Sequence, residues 1–416
     1  MDRHDAAATD RWPDSVERRR RPRRWRLVPP AVTPVRASDV AAGIRGQWAG
    51  RGRRQFREEI AGFLDAEQTA TYTSYRRTLA GCFHELAVAD DDGRDTVLIP
   101  AFCSADFPEA IEGVGLEPRR YDIDPETLAF DPDSLREGLE TDPLAVVSIP
   151  VLGYGSPMDE LVERCGDPYL VEVLGYALGT EYDGRRLGTF GDCAVLNFQQ
   201  GKPLPVGGGM VVAGNDELSF RDAGRDPVDP NVAALAGYAA LGRPRPYYAY
   251  AAVRDAFDGV GDRATTHPDP KFAVDYDPPF ETISDFQGTV ASRVFGRLDA
   301  HRRARERTAT HYREQLSSCP GVSAVEAVPG LSNCQHVRYP LVAETTALRD
   351  RIKTALADAG IGATPLYDWP VLDPETFPGG ASLQRRILTL PTHPYVDDRD
   401  RRLVVETVRE VTAGGR

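Results

Sequence analysis

Hydrophobic positions in this chain follow two rhythms. Between residues 56 and 215, short apolar runs alternate with stretches of helical period. "TATYTS" (69–74) precedes a helix that begins near Arg76, "TVLIPA" (96–101) precedes "DFPEAIEGVG", and "LAVVSIPVLG" (144–153) precedes "PMDELVERCG". "YLVEVL" (169–174), "CAVLNF" (193–198) and "GMVVA" (209–213) read as further buried strands. Fully apolar strands separated by helices predict a mainly parallel sheet covered on both faces, with ligands at the carboxyl ends of its strands. Residues 217–282 are rich in Pro, Gly and Tyr and carry no clear period. A long helix is expected through 285–316, then a strand near 336–342, a helix over 345–360 and a last helix after "DDRD" (397–400). The pattern therefore predicts an Arg-rich tail (1–28), a large α/β domain (29–284) and a smaller α+β C-terminal domain (285–416).

Composition narrows this picture. A chain of 416 residues suits two cores rather than one. Its net charge is −13, and residues 1–28 hold nine arginines against five acids, a surplus of four that leaves the remainder at −17. A body so acidic repels phosphate, which argues against nucleic acid as partner. No run approaches the roughly 20 apolar residues of a membrane span, and the N-terminus has charge without an apolar core, so the expectation is a cytoplasmic protein. Abundant acids with almost no lysine suggest a high-salt cytoplasm. The six cysteines form no CxxC pair and are expected as reduced core thiols. "RRRRPRRWR" (18–26) reads as a solvated, disordered extension.

Only three lysines occur, Lys202, Lys271 and Lys353. Lys202 lies just past the strand 193–198, in "VLNFQQGKPLPVGGGMVV" (195–212). Pro203, Pro205 and Gly207–Gly209 narrow that turn so that backbone can approach a ligand closely. A lysine amine there is suited to Schiff-base chemistry if burial or neighbours lower its pKa.

At this point the chain resembles the DegT/DnrJ/EryC1/StrS aminotransferases, fold-type I pyridoxal-phosphate enzymes, many of which act on nucleotide-linked keto-sugars. The resemblance rests on 179–216 together with "YDIDPETLAFDPDSL" (121–135), "GYGSPMDEL" (153–161), "ISDFQGTVASRVFGRLD" (283–299) and "LTLPTHPYVDD" (388–398). It implies that Lys202 holds the cofactor, pyridoxal 5'-phosphate. It also implies a nucleotide sugar and an amino donor as small-molecule substrates, and a homodimer with active sites at the subunit interface. No metal is implied.

Carried over residue by residue, the resemblance places a phosphate cradle at Ser74, Tyr75 and Arg76, with Tyr75 where glycine is usual, and a phosphate donor at Asn197. The ring-stacking position falls on Ser104 beside Cys103. Glu172 matches the family's Glu, Val173 falls where an Asp holds the pyridine nitrogen, and Tyr176 falls at a Gln or His. Glu172 could replace that Asp only if the strand slipped by one residue. "PLYDWP" (365–370) resembles the segment that borders the substrate. His84, His336, His393 and the Asp122/Asp124 and Asp131/Asp133 pairs carry structural readings only. The departures leave an alternative: a degenerate, non-catalytic member that serves as a sugar-nucleotide-binding or structural subunit.

Overall fold

The computed structural model describes residues 25–214, 218, 220, 226–227, 229–258 and 281–414. Residues 1–24 of the arginine tail, Lys271 and part of the 217–282 stretch lie outside the described residues.

Two helices come first, α1 (Ala37–Ala49) and α2 (Gly52–Leu64). The chain then alternates: β1 (Gln68–Tyr72), α3 (Tyr75–Ala89), β2 (Thr96–Pro100), α4 (Asp106–Gly113), β3 (Glu117–Tyr121), α5 (Pro132–Leu139), β4 (Ala145–Ser148), α6 (Met158–Cys165) and β5 (Tyr169–Val173). A small hairpin, β6 (Glu181–Tyr182) and β7 (Arg185–Arg186), leads to β8 (Cys193–Asn197) and β9 (Gly209–Ala213). These build a seven-stranded sheet in the order β1-β9-β8-β5-β4-β2-β3. β3, β2, β4, β5 and β8 run parallel, while β9 lies antiparallel to both β8 and β1. Every residue of β2, β4, β8 and β9 is buried. This is the fully apolar pattern of strands covered on both faces, and each large side chain so placed contributes about 2 kcal/mol.

Helices α7 (Val232–Leu241) and α8 (Pro244–Asp258) follow, then α9 (Asp285–Phe295) and α10 (Leu298–Leu316). The single helix expected over 285–316 is thus two. α9 ends at Gly296, Arg297 leaves helical geometry (φ −117°, ψ 8°), and α10 starts anew. The two halves serve different cores. Phe286, Val290 and Val294 of α9 join the core of the large sheet, and α9 packs against α1 and α2. Ala309, Tyr312 and Leu316 of α10 join a second core. Helix α9 thus packs with the large sheet and α10 with the second core, on either side of Arg297. Periodicity hid the break, because the apolar rhythm continues through Gly296.

The second core is built on a three-stranded antiparallel sheet, β10 (Val322–Ala324), β12 (Arg338–Ala343) and β13 (Ile387–Pro391), in the order β10-β12-β13. Helices α10, α11 (Thr346–Asp358) and α13 (Asp398–Ala413) line it, and α12 (Pro378–Arg386) precedes β13. A short strand, β11 (Leu331–Ser332), pairs instead with β6 of the large unit.

The chain also returns to this core from its start. Arg26, placed by the sequence in the solvated tail, donates to Asp397 at 3.2 Å and is ion-paired with Asp400. Val28 is buried in the second core and bridges Ile361. Order thus begins before residue 29, because two acids at the head of α13 give Arg26 a fixed partner.

Candidate active site

The parallel strands end at one edge of the large sheet, and the loops leaving β5 and β8 meet there. Past β8 the chain turns through Phe198–Gly208 before returning as β9. Three backbone bonds close the loop: Phe198 N–H to Gly208 O (3.0 Å), Gly207 N–H to Phe198 O (2.7 Å) and Lys202 N–H to Gln199 O (3.2 Å). Gly208 has φ +84°, and a Cβ there would stand 2.2 Å from the Tyr72 carbonyl oxygen, so only glycine fits. The Thr33 hydroxyl donates to the Lys202 carbonyl at 2.7 Å and accepts from buried Arg305 at 2.5 Å. The backbone of Lys202 is therefore held by hydrogen bonds at both its N–H and its carbonyl.

The Lys202 amine lies 3.2 Å from the centre of the Tyr176 ring, a cation–π contact. Burial lowers the pKa of this amine; Tyr176 opposes the shift and the positive charge of Arg338 adds to it. Burial alone would make Tyr176 a weaker acid. The charges of Lys202 and Arg338 outweigh that and bring its phenol down to about 8. Around this pair stand buried Tyr75 and Cys103, and half-buried Tyr367, whose ring meets Phe102 edge-on at 5.2 Å. Burial pushes the phenols of Tyr75 and Tyr367 well above the ordinary range, and the Cys103 thiol up to about 12. At the pH of a cell these three are neutral.

The sequence-derived site residues divide into two groups. Lys202, Tyr176, Tyr75 and Asn197 come together. Asn197 ends β8, accepts from Gln199 N–H at 2.8 Å, and its side chain is the hydrogen-bonding neighbour of the Tyr75 phenol. Ser74 caps α3, its hydroxyl accepting from Arg77 N–H at 3.2 Å.

The other group is engaged elsewhere. Arg76 pairs with Asp106 at 2.7 Å and Glu109 at 2.9 Å on α4, so its charge is already compensated by carboxylates. Ser104 donates to Asp106 at 2.8 Å at the start of α4. It is too small to stack on a ring. Glu172 is buried with both oxygens taken, by the N–H groups of Gly188 (2.7 Å), Phe190 (2.6 Å) and Gly191 (2.8 Å). β5 keeps its register with β4 and β8, so no slip turns Glu172 toward a ligand.

Two residues that act on this pair were not singled out from the sequence. Arg338, on β12, whose charge reaches Lys202 and Tyr176 while its guanidinium bonds Thr364 and Thr389, was read only as part of an apolar strand. Its signal was an arginine inside "HVRYPLV", where a cation needs a reason. Tyr367 was contained in "PLYDWP" without a role of its own.

The fold is α/β, with a half-buried lysine held in the loop between β8 and β9. The chain belongs to the DegT/DnrJ/EryC1/StrS aminotransferase family, whose model matches residues 33–223 and 281–409. Members of this family are pyridoxal-phosphate-dependent transaminases. Among curated relatives, the spore coat polysaccharide biosynthesis protein SpsC of Bacillus subtilis is 24% identical, over 92% of this chain and 96% of that protein. The dTDP-4-dehydro-2,3,6-trideoxy-D-glucose 4-aminotransferase of Saccharopolyspora spinosa is 25% identical, over 88% of this chain and 91% of that protein. A sugar aminotransferase of Micromonospora echinospora has the same fold, with a TM-score of 0.70 at 22% identity, covering 92% of this chain and all of that one (100%).

Pyridoxal phosphate presents an aldehyde, a phosphate and a pyridine nitrogen, and the site meets them unequally. The half-buried amine of Lys202 fits the aldehyde, and the N-terminus of α3 fits the phosphate. Val173, at the position where the resemblance puts the nitrogen's acid, offers none, and the neighbouring Glu172 is held by three backbone groups. The residues fit the group at the lysine and phosphate ends and leave its ring nitrogen without a carboxylate.

Proposed function

We propose that this chain is an aminotransferase whose acceptor is a keto-sugar carried on a nucleotide and whose donor is an amino acid, with Lys202 as the reacting amine. The observation that carries this reading is half-buried Lys202 on a loop closed by its own backbone bonds, with its amine 3.2 Å from the centre of the Tyr176 ring. When bound, pyridoxal phosphate supplies the carbonyl that receives the amino group and the conjugated ring that spreads negative charge.

The chain's residues do the remainder. An amine partly withdrawn from water loses its proton more readily than a solvated one, so Lys202 is suited to attack a carbonyl and then to carry a proton between the two carbons on either side of the transferred nitrogen. Tyr176, against the amine, restrains its position. Tyr75 and Cys103, both buried, and half-buried Tyr367 are raised in pKa by burial and stay neutral beside it.

The relatives named as sugar and polysaccharide-biosynthesis proteins support the acceptor class. No helix among the described residues is long and apolar enough to cross a membrane, which is consistent with work in the cytoplasm. We further propose a homodimer, to be checked by light scattering. The deciding experiment adds pyridoxal phosphate to the purified chain. A visible absorption band should appear, borohydride should abolish it, and mass spectrometry should place the label on Lys202. A chain that stays colourless, or is labelled at Lys353 or Lys271, overturns the reading.

A further inference from the structure

Arg305, on α10, is fully buried, and among the described residues it forms no ion pair. Burial brings its pKa down to about 10, which still leaves it charged at the pH of a cell. Its two terminal nitrogens go to two different side chains. Nη2 donates to the Thr33 hydroxyl at 2.5 Å, and Nη1 donates to the Gln335 side-chain oxygen at 3.0 Å. Both partners are buried as well, and each passes the contact on to a backbone carbonyl. Thr33 donates to the Lys202 carbonyl at 2.7 Å. Gln335 donates through Nε2 to the carbonyl of Leu178, also at 2.7 Å, just beyond Tyr176 in the chain. One side chain of α10 thus reaches, through one intermediary each, the two loops whose side chains meet at 3.2 Å.

The direction of these bonds follows from the arginine. A guanidinium has donors and no acceptor. The Thr33 oxygen that receives it turns its own hydrogen elsewhere, to the Lys202 carbonyl. The Gln335 amide presents its oxygen to Arg305, which turns its NH2 to Leu178. Thr33 is held from its other side too, where its N–H donates to the Tyr238 phenol at 2.9 Å. A buried cation without a carboxylate is costly to keep, and an apolar side chain of similar volume would serve packing as well or better. What an apolar side chain cannot do is set the polarity of both relays at once.

We propose that Arg305 is a positioning residue for the Lys202–Tyr176 pair: through Thr33 and Gln335 it holds the two loops at the spacing that keeps the amine against the tyrosine ring. It acts through the backbone of each loop rather than on the amine or the ring. Its effect on rate rests on the aminotransferase reading above, whereas the spacing of the pair is a property of the chain itself. A misplacement of about 1 Å at a reacting group can cost about a hundredfold in rate.

Three variants of the full-length chain test this, Arg305→Met, Thr33→Val and Thr33→Ser, each checked for folding by circular dichroism. Before cofactor is added, an ultraviolet titration follows the earliest tyrosine step, assigned to Tyr176 by its loss in Tyr176→Phe. Arg305→Met and Thr33→Val should both move that step to higher pH, because the Lys202 charge no longer sits on the ring. Thr33→Val removes no charge, so loss of the Arg305 charge alone cannot mimic its effect. Thr33→Ser keeps the hydroxyl and should titrate like the native chain. After pyridoxal phosphate is added, bleaching of the visible band at saturating amino donor should slow by about tenfold or more in Arg305→Met and Thr33→Val. The donor concentration that gives half the maximal rate should stay unchanged. If Arg305→Met does not fold, Thr33→Val, in which the arginine remains, carries the test. An unmoved tyrosine step in folded Arg305→Met or Thr33→Val overturns the proposal, whatever the stability of the variant. So does a Thr33→Ser chain that behaves like Thr33→Val, or a rate loss that saturating donor repairs. Absence of the visible band in the native chain would instead sink the aminotransferase reading and leave the tyrosine step to decide the positioning.

Discussion

At Tyr176 a side chain is made acidic by its neighbours, and the effect has a direction that can be measured. Burial raises the phenol's pKa, and the charges of Lys202 and Arg338 bring it down to about 8. An ultraviolet pH titration of the chain should therefore show one tyrosine ionising near pH 8, before the others. Tyr176→Phe should remove that step. Lys202→Met should move it to higher pH, because the nearer positive charge is gone. A single unresolved tyrosine transition in the native chain would contradict the geometry. A second residue-level expectation concerns Val173. A carboxylate at a pyridine nitrogen keeps that nitrogen protonated, so that the ring can accept developing negative charge, and valine cannot. If Val173→Asp folds and takes up pyridoxal phosphate, its first half-reaction with an amino donor should run at least about tenfold faster, equivalent to about 1.4 kcal/mol. Bleaching of the visible band reads the rate.

At the scale of single elements, β5 shows why neighbours in sequence have separate lives. Glu172 and Val173 point to opposite faces, and the register with β4 and β8 holds them there. Glu172 is a staple between β5 and the turn at 188–191. Burial raises its pKa despite the three N–H donors that favour the charged form. Glu172→Ala would leave those donors without acceptors, and should lower the stability read from urea unfolding by about 2–3 kcal/mol. Pyridoxal phosphate uptake at low denaturant should survive, since Glu172 does not face Lys202. Elements were also where the sequence was most and least informative. β2, β4, β8 and β9 were legible because both of their faces are buried, so the apolar runs are unbroken. The α9/α10 break was not, since Gly296 interrupts the backbone without interrupting the apolar period. Lys202 was legible from its rarity and its glycines. Arg338 was not, because a strand pattern records how apolar its neighbours are and is silent about which loop of another unit lies opposite. Arg76 and Ser104 matched a motif by position, while the partners that occupy them, Asp106 and Glu109, lie some thirty residues further on from Arg76.

For the whole molecule, the two cores are joined by more than the α9/α10 connection. Asp39, fully buried at the start of α1, pairs with Arg293 of α9 at 3.0 Å and with Arg297 at 2.6 Å, where α9 gives way to α10. Its pKa is lowered: burial works against the charge, and the bonds from Arg297, Arg36 and Arg293 overcome it. At the other end, Arg26 ties the N-terminal segment to α13. Its side chain is only partly exposed and Asp400 is nearly covered, so Arg26→Ala should cost about 1 kcal/mol, seen as a lower denaturation midpoint. No change in midpoint would mean that water replaces the pair at no cost.

The segment from Arg26 to Thr33 is attached at both ends. One end is bound to α13 and, through Val28, to Ile361. The other end holds the Lys202 carbonyl through Thr33. It acts as a tie-rod between the C-terminal unit and the reactive loop. If the C-terminal unit rocks against the sheet as ligands enter and leave, the rod must either give way at one of those bonds or pull the lysine's backbone with it. The position of the amine is then geared to the position of a unit that supplies no atom to the lysine loop.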